Sequence, residues 1–479
     1  MKSILPVVLC AGQAVLSAQT FTRLFTFNYT DGSWPAASLV QANDGGLYGT
    51  TRNGGPGTGS GTIFAISAFD EVKTIYSFGL DAGGEAIAPL VLGGDGYLYG
   101  ATSLGGANTA GTLFKISTGG AFTVLYSFCQ NGQPCNDGAG PVGLMQVAGG
   151  DFYGVTQSGG PGYGGTVFKF SGGVLTTLYT FCAQGSPGNC PDGATPWAGL
   201  VQASNGNFYG TTSLGGAHND GTVFEITPQG ALTTLYSFCS APNCTDGYMP
   251  LAGLVQAANG ELYGTTDMGG TSNDGTVFGI TPDGVLTTLH SFCTAYECAD
   301  GSGPRALTLG SDGNIYGTTG GGGANDGGTI YRLGSNGTLV TIFNFCAVGC
   351  PEGDGPYAGV TQSTTGDFYG TTDSGGDDNG GCYFYFGASG CGTVYKLSTG
   401  LSPFVTPVPV SGRSGTKVTI LGNALTGASS VTFNGVPASF QVGSPTRIST
   451  TVPVGATSGT VQVVTPGGTL LSNVRFVVR

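Results

Sequence analysis

The tetrapeptide Tyr-Gly-Thr-Thr, or a close variant of it, occurs seven times, with its tyrosines at Tyr48, Tyr99, Tyr153, Tyr209, Tyr263, Tyr316 and Tyr369. Successive copies stand 51 to 56 residues apart. A period near fifty with strand-like content marks a radial or stacked array, in which each unit buries its apolar face only against its neighbours. The copy beginning at Leu251 shows the unit. Leu251–Gln256, Leu262–Thr266, Gly275–Ile280 and Leu286–Phe292 are four alternating β-branched and aromatic runs. Asn259-Gly260, Gly269-Gly270 and Pro282-Asp283-Gly284 stand between them, which is hairpin chemistry. Four antiparallel strands make one propeller blade.

The offset of the repeat separates a closed ring from an elongated solenoid. The seventh copy stops after its third strand, Gly392–Leu397, while an unpaired fourth strand, Thr22–Phe27, precedes the first copy. Pairing that strand with the seventh copy closes a ring and removes a sheet edge. The expected fold is all-β, a seven-bladed β-propeller closed by an N-terminal strand and followed by an immunoglobulin-like β-sandwich. The expected boundaries are a signal peptide at 1–18, the propeller at 19–400, a linker at 401–409 and the sandwich at 410–479, with 402 as an alternative start.

Composition narrows the function classes. Gly is 92 of 479 residues without a three-residue period, so the chain is not collagen-like. Only 9% of residues are charged and the net charge is −13, which leaves no electrostatic footprint for nucleic acid. Lys2, the apolar Ile4–Leu9 and Leu16-Ser17-Ala18 read as a cleaved export signal, with a lipid anchor at Cys10 as the lesser reading. No later run is long and apolar enough for a transmembrane helix. The expected location is secreted, extracellular or cell-surface, with the periplasm as an alternative, and the expected state is a monomer.

Twelve cysteines fall into six close pairs: Cys129/Cys135, Cys182/Cys190, Cys239/Cys244, Cys293/Cys298, Cys346/Cys350 and Cys382/Cys391. The stretches after Phe27 and Phe78 lack both members together, as bonded pairs require. Two histidines in the whole chain, His218 and His290, make zinc sites the poorer reading.

Tyr-Gly-Thr-Thr, then Gly-Gly two residues on, then Gly-Thr-Val-Phe, resembles the GloVer tandem-repeat family of exported bacterial proteins, over nearly all of residues 40 to 397. The resemblance implies no defined activity, and the likeness to kelch blades is one of architecture only. After the proline-rich Pro407-Val408-Pro409, the runs Gly415–Ile420, Val431–Ala438, Val452-Pro453 and Thr465–Gly468 look like an IPT/TIG immunoglobulin-like domain. Such domains usually act as spacers or adhesion modules.

In an up-and-down blade, the loop between second and third strands and the connection to the next blade share a face, where function is expected. Four residues before a proline stands one acid per repeat: Asp31, Glu85, Asp137, Asp192, Asp246, Asp300 and Glu352. These form a candidate ring for calcium or cationic groups, although Asp-Gly turn chemistry at a repeat-wide position is the favoured reading. Calcium is thus the one cofactor considered. A second candidate is Tyr383, Phe384, Tyr385 and Phe386, an insert between Cys382 and Cys391 suited to stacking on sugar rings or anchoring a protein, although a local hydrophobic plug over the ring or against the C-terminal domain is the favoured reading. Trp34, Trp197, Tyr248 and Tyr357, beside the prolines that open blades, read as core or rim packing. Asn219/Asp220, Asn273/Asp274 and Asn325/Asp326 read as turns, and neither histidine as catalytic.

No nucleophile elbow, metalloprotease helix or phosphate loop is present. The expectation is therefore a non-catalytic binding or adhesion protein recognising glycans or a surface protein on the disulfide-bearing face. The alternatives are a polysaccharide-active hydrolase or lyase and a structural envelope scaffold, and the reading leans against enzymatic activity.

Overall fold

The computed structural model describes residues 19–79, 81–183, 189–257, 259–294, 296–334, 337–347, 349–376, 382 and 390–479. Seven four-stranded antiparallel sheets follow the seven repeats. The first is built from Val40–Gln41, Leu47–Thr51, Thr62–Ile66 and Val72–Ser77. The seventh takes Thr361–Gln362, Phe368–Thr372 and Thr393–Ser398 from its own repeat and Thr20–Thr26 as its outer strand. The ring is closed by that strand, as the offset of the repeat requires.

Each residue of the repeated tetrapeptide has a structural task. The glycine sits beneath the third-strand aromatic ring: a Cβ on Gly264 would lie 2.5 Å from Phe278 Cζ, and one on Gly49 equally near Phe64 Cζ. The second threonine makes a buried hydroxyl–hydroxyl bond to the third strand in every blade, from Thr51···Thr62 at 2.8 Å to Thr319···Thr329 at 3.0 Å and Thr372···Thr393 at 2.9 Å. The first threonine reaches the next blade. Thr50 donates to the Ala86 carbonyl at 2.8 Å, Thr318 to that of Ala358 at 3.0 Å, and Thr371 to that of Pro35 at 3.2 Å, across the closure. Such fully satisfied buried hydroxyls fix register as well as adding about 1 kcal/mol each.

Aromatic residues carry the apolar contact between blades. The phenylalanine ending each fourth strand meets the third-strand ring of the following blade at 5.2–5.5 Å, seven contacts in all.

Residues after 400 form two further four-stranded sheets. Thr406–Val408, Lys417–Leu421, Arg447–Thr451 and Phe440–Ser444 make one. Val436–Pro437, Ser430–Phe433, Val461–Thr465 and Gly468–Leu471 make the other. Val418, Ile420, Val431, Phe433, Ile448 and Val463 fill the space between them. This sandwich touches the propeller at turns between first and second strands. Leu421 joins the cluster of Ala42, Leu90 and Leu92, and the Thr446 hydroxyl donates to the Asn43 carbonyl at 3.0 Å. That face is opposite the disulfides, so among the described residues the sandwich leaves the disulfide-bearing side open.

Candidate functional site

The open face is built from glycine-rich loops clamped by the cystine connections. The six cysteine pairs are bonded as Cys129–Cys135, Cys182–Cys190, Cys239–Cys244, Cys293–Cys298, Cys346–Cys350 and Cys382–Cys391. The carbonyls of Cys135, Cys190, Cys244, Cys298 and Cys350 accept the amides of Gly160, Gly216, Gly270, Gly323 and Gly376 at 2.8–3.0 Å. Each of these five disulfide loops is therefore tied to the Gly-Gly loop of the blade it leads into.

The ring acids are engaged inside these connections. Asp137, Asp192 and Asp246 accept the hydroxyls of Tyr126, Tyr179 and Tyr236 at 2.9, 2.9 and 2.7 Å. Asp192 also accepts the Cys182 amide at 3.1 Å, and Asp246 the Ser240 amide at 2.8 Å. Asp300 replaces the tyrosine partner with His290 Nε2 at 2.9 Å and adds the Cys293 amide at 3.1 Å. Asp31 accepts the Asn28 amide at 2.8 Å, and burial raises its pKa against the pull of its hydrogen bonds to Asn28. Glu352 contributes its carbonyl to the Thr393 hydroxyl at 2.9 Å. Glu85 does not belong to the row. The Thr112 hydroxyl bonds the Ala82 carbonyl at 3.1 Å where Thr62 bonds that of Asp31, also at 3.1 Å, so Ala82 holds the ring position in the second blade. Glu85 stands three residues on, beside the channel.

Three carboxylates lie near sulfur: Asp220 by Cys239 and Cys244, Asp274 by Cys293 and Cys298, and Asp354 by Cys346 and Cys350, with ligand atoms within 4.8 Å. The sulfurs are disulfide-bonded rather than thiolates, and a lone carboxylate beside a cystine does not fit zinc or calcium. Tyr383, Phe384, Tyr385 and Phe386 lie outside the described residues.

At the centre of the open face is a cavity of about 760 Å³. Two rows that the repeat leaves free contribute to its lining, the first through Arg52, Ser103 and Gln157. The residue following each tetrapeptide is Arg52, Ser103, Gln157, Ser213, Asp267, Gly320 or Asp373. Its amide bonds the opening loop of the same blade, as Arg52 to the Trp34 carbonyl at 3.0 Å and Asp373 to that of Gly355 at 2.9 Å. The second row includes Ile87, Val142, Trp197, Leu251, Arg305 and Tyr357. Charge gathers on one side. Arg305 pairs with Asp267 at 2.7 Å and lies over the Tyr357 ring, its guanidinium carbon 4.4 Å from the centroid. Arg52 pairs with Glu85 at 3.2 Å. Burial pushes the Asp373 carboxyl up to about 6, against the pull of Arg52 and Arg305 and with the push of Asp354. Trp197 and Tyr357 are each 44% exposed. They line this cavity instead of serving as core or rim packing. A carboxyl raised to about 6 between two guanidiniums can both hold and release a proton in mildly acidic solution.

Sequence reading passed over Arg52, Asp267, Arg305 and Asp373. The available signal was variation: these positions change chemistry where the neighbouring Tyr-Gly-Thr-Thr does not.

A family model described as the Gloeobacter/Verrucomicrobia repeat matches residues 13–136, 130–257 and 240–430, and one described as the IPT/TIG domain matches 403–478. No curated protein matches. Among solved structures, a streptogramin B lyase is similar at 16% identity and a TM-score of 0.52, covering 79% of this chain and 97% of that one. Virginiamycin B lyase from Staphylococcus aureus is similar at 14% identity and 0.52, covering 80% and 99%. The extracellular domain of a hybrid two-component system from B. thetaiotaomicron is similar at 9% identity and 0.52, covering 85% of this chain and 46% of that one. These likenesses establish a shared fold. They also correct the lean against enzymatic activity, because this propeller fold carries proteins described as lyases and carboxylates pair with the two arginines that line the central cavity.

Proposed function

Since the chain belongs to the Gloeobacter/Verrucomicrobia repeat family and ends in an IPT/TIG domain, we propose that it is an exported polysaccharide-active enzyme, a hydrolase or lyase, whose active site is the central cavity of the disulfide-bearing face. The observation that carries this reading is that the repeat-breaking Arg52 and Arg305 line that cavity, pair with the carboxylates Glu85 and Asp267, and both act on the Asp373 carboxyl. In this reading Asp373 is the acid–base group, since its carboxyl titrates near the working pH of an extracellular enzyme. Asp267 and Glu85, each held by an arginine, supply further carboxylates. Trp197 and Tyr357 offer ring faces on which sugars stack. Six disulfides fit an oxidising, exported setting, as do similar folds in domains described as extracellular.

The test is a panel of polysaccharides incubated with the mature protein and with Asp373→Asn, with chromatographic and ultraviolet product analysis. The expected outcome is released oligosaccharide from the parent and none from the variant. Saturable binding without products would overturn catalysis and return the protein to a glycan-binding role. Binding of a protein in place of any glycan would overturn the polysaccharide reading.

A further inference from the structure

We infer that the glycan taken by this cavity is a neutral one, gripped through a pair of adjacent hydroxyls by Arg305 and Asp267; this rests on reading the cavity as a polysaccharide site. The Arg305 guanidinium is held on three sides. Asp267 Oδ1 fixes Nη1 at 2.7 Å, and the two side chains are each 17% exposed. Tyr357 lies under the guanidinium plane at 4.4 Å. The third side is Gly320, where a Cβ would come within 3.0 Å of Nη2, 3.1 Å of Nε and 3.2 Å of Tyr357 Cε1. Gly320 is absent from the residues with positive φ, so its backbone alone does not demand glycine. It is the sixth blade's residue after the tetrapeptide, a place where every other blade carries a side chain. Glycine there makes room for the guanidinium.

The arginine so placed has its backbone tied as well, its carbonyl accepting the Thr265 hydroxyl at 3.1 Å. Among the described residues Nη1 is the one guanidinium nitrogen with a hydrogen-bond partner. Nε is sealed from solvent, and Nη2 remains available at the cavity. Gln157 Nε2, another cavity group, is likewise without a partner. Arg305 Nη2, unpartnered among the described residues, is the donor that a ligand in the cavity can complete.

The chemistry of the ligand follows from charge. Neither arginine brings an uncompensated positive charge, because Arg305 is paired with Asp267 and Arg52 with Glu85, and Asp373 adds a further carboxyl. A uronate or sulfate group placed on Nη2 would lie against the Asp267 carboxylate and be repelled. Two adjacent sugar hydroxyls meet no such conflict. One accepts from Nη2 while the other donates to the carboxylate, so the pair matches a mixed donor–acceptor edge. The apolar face of the same sugar then has Tyr357 and Trp197 to stack on.

The experiment is calorimetric titration of the full mature chain carrying Asp373→Asn, with neutral β-linked hexose and pentose oligosaccharides on one arm and oligogalacturonates and sulfated oligosaccharides on the other. Binding of a neutral oligosaccharide at least about tenfold tighter than any anionic one is expected, with a loss of about tenfold or more on adding Arg305→Lys. Gly320→Ala, which crowds the guanidinium without altering charge, is a second variant expected to weaken neutral binding while the protein keeps its circular dichroism spectrum. Tighter anionic binding, absence of neutral binding, or neutral binding indifferent to both substitutions would overturn the inference. The two readings fail separately. Turnover of uronate polymers by the parent protein would overturn the substrate class and leave the enzyme, whereas neutral binding without turnover would leave the hydroxyl clamp and remove the enzyme.

Discussion

Phe27 and Phe64 meet edge to face, their ring centres 5.2 Å apart and their planes at 69°. Phe27 ends the strand that precedes the first repeat, and Phe64 stands in that repeat's third strand, so this contact seals the ring. It is one of seven equivalent contacts, and the one that joins the N-terminal segment to the first repeat. Phe27 is 1% exposed and Phe64 fully buried. Phe27→Ala is expected to lower stability by about 3–5 kcal/mol, the usual loss for a buried phenylalanine. Deleting residues 19–28 removes an entire outer strand and should destabilise all seven blades together, read as one cooperative shift by differential scanning calorimetry. A deletion variant melting at the parent temperature would refute ring closure.

Two blades carry a built-in defect that substitution should relieve. Five blades place Phe over the tetrapeptide glycine, but the sixth and seventh use Tyr331 and Tyr395. Both rings are fully buried, and neither hydroxyl has a partner among the described residues. Burial accordingly raises both phenol pKa values. An unsatisfied buried hydroxyl costs about 1–3 kcal/mol. Tyr331→Phe and Tyr395→Phe are each expected to stabilise by about 1 kcal/mol, measured by urea unfolding. Loss of stability in both would mean that the hydroxyls are bonded in solution.

His290 stands where Tyr126, Tyr179 and Tyr236 stand in other blades, and its Nε2 takes the same carboxylate partner, Asp300, at 2.9 Å. Its ring also packs edge-on against Phe292 at 4.8 Å, as Tyr236 does against Phe238 at 5.4 Å. His290→Tyr should therefore leave the melting temperature within a few degrees of the parent, about 1 kcal/mol in either direction. A large loss would show that the imidazole has a task of its own.

Much of the architecture was legible because repetition samples the same physics seven times. A glycine under an aromatic ring, a threonine pair and a phenylalanine at each strand end leave the same residues at the same spacing in every copy. The site was harder to read for the converse reason. Asp267, Arg305 and Asp373 are recognised only as departures from a pattern, and they meet because a ring brings together residues far apart in sequence. Glu85 shows the limit of counting. It stands four residues before Pro89, yet the structural equivalent of the opening proline in that blade is Ala86, so the count placed it in the wrong row. Trp197 and Tyr357 have the composition of core residues, and only the blade geometry shows that they face the channel.

The acid ring leads to a calcium prediction. Asp137, Asp192, Asp246 and Asp300 each hold an aromatic partner and a loop amide within their own connection. Calcium needs six to eight oxygen ligands converging on one point, and these carboxylates are dispersed one to a blade. Millimolar calcium and chelator are therefore expected to give the same melting temperature. A calcium-dependent rise of several degrees would show that the acids act together as ligands.

Asp373 links stability and activity through one proton. Its pKa is raised from 3.8 to about 6, chiefly by burial, so the folded protein binds the proton more tightly than the unfolded chain does. Between those two values the folded state carries the extra proton, and stability falls as pH rises. Above about 6 the carboxylate is charged in both states and the full penalty of burying it applies. Asp373→Asn removes this slope and should be more stable than the parent at neutral pH by up to about 3 kcal/mol, with little difference at pH near 4. The same substitution should abolish turnover, because the amide neither gives nor takes the proton. In the parent, kcat/KM should fall on the alkaline side with an apparent pKa near 6 if Asp373 acts as the acid, and on the acidic side if it acts as the base. Stability profiles that coincide for parent and variant from pH 4 to 8 would show that Asp373 titrates as an ordinary surface carboxylate, and the acid–base role would go with it.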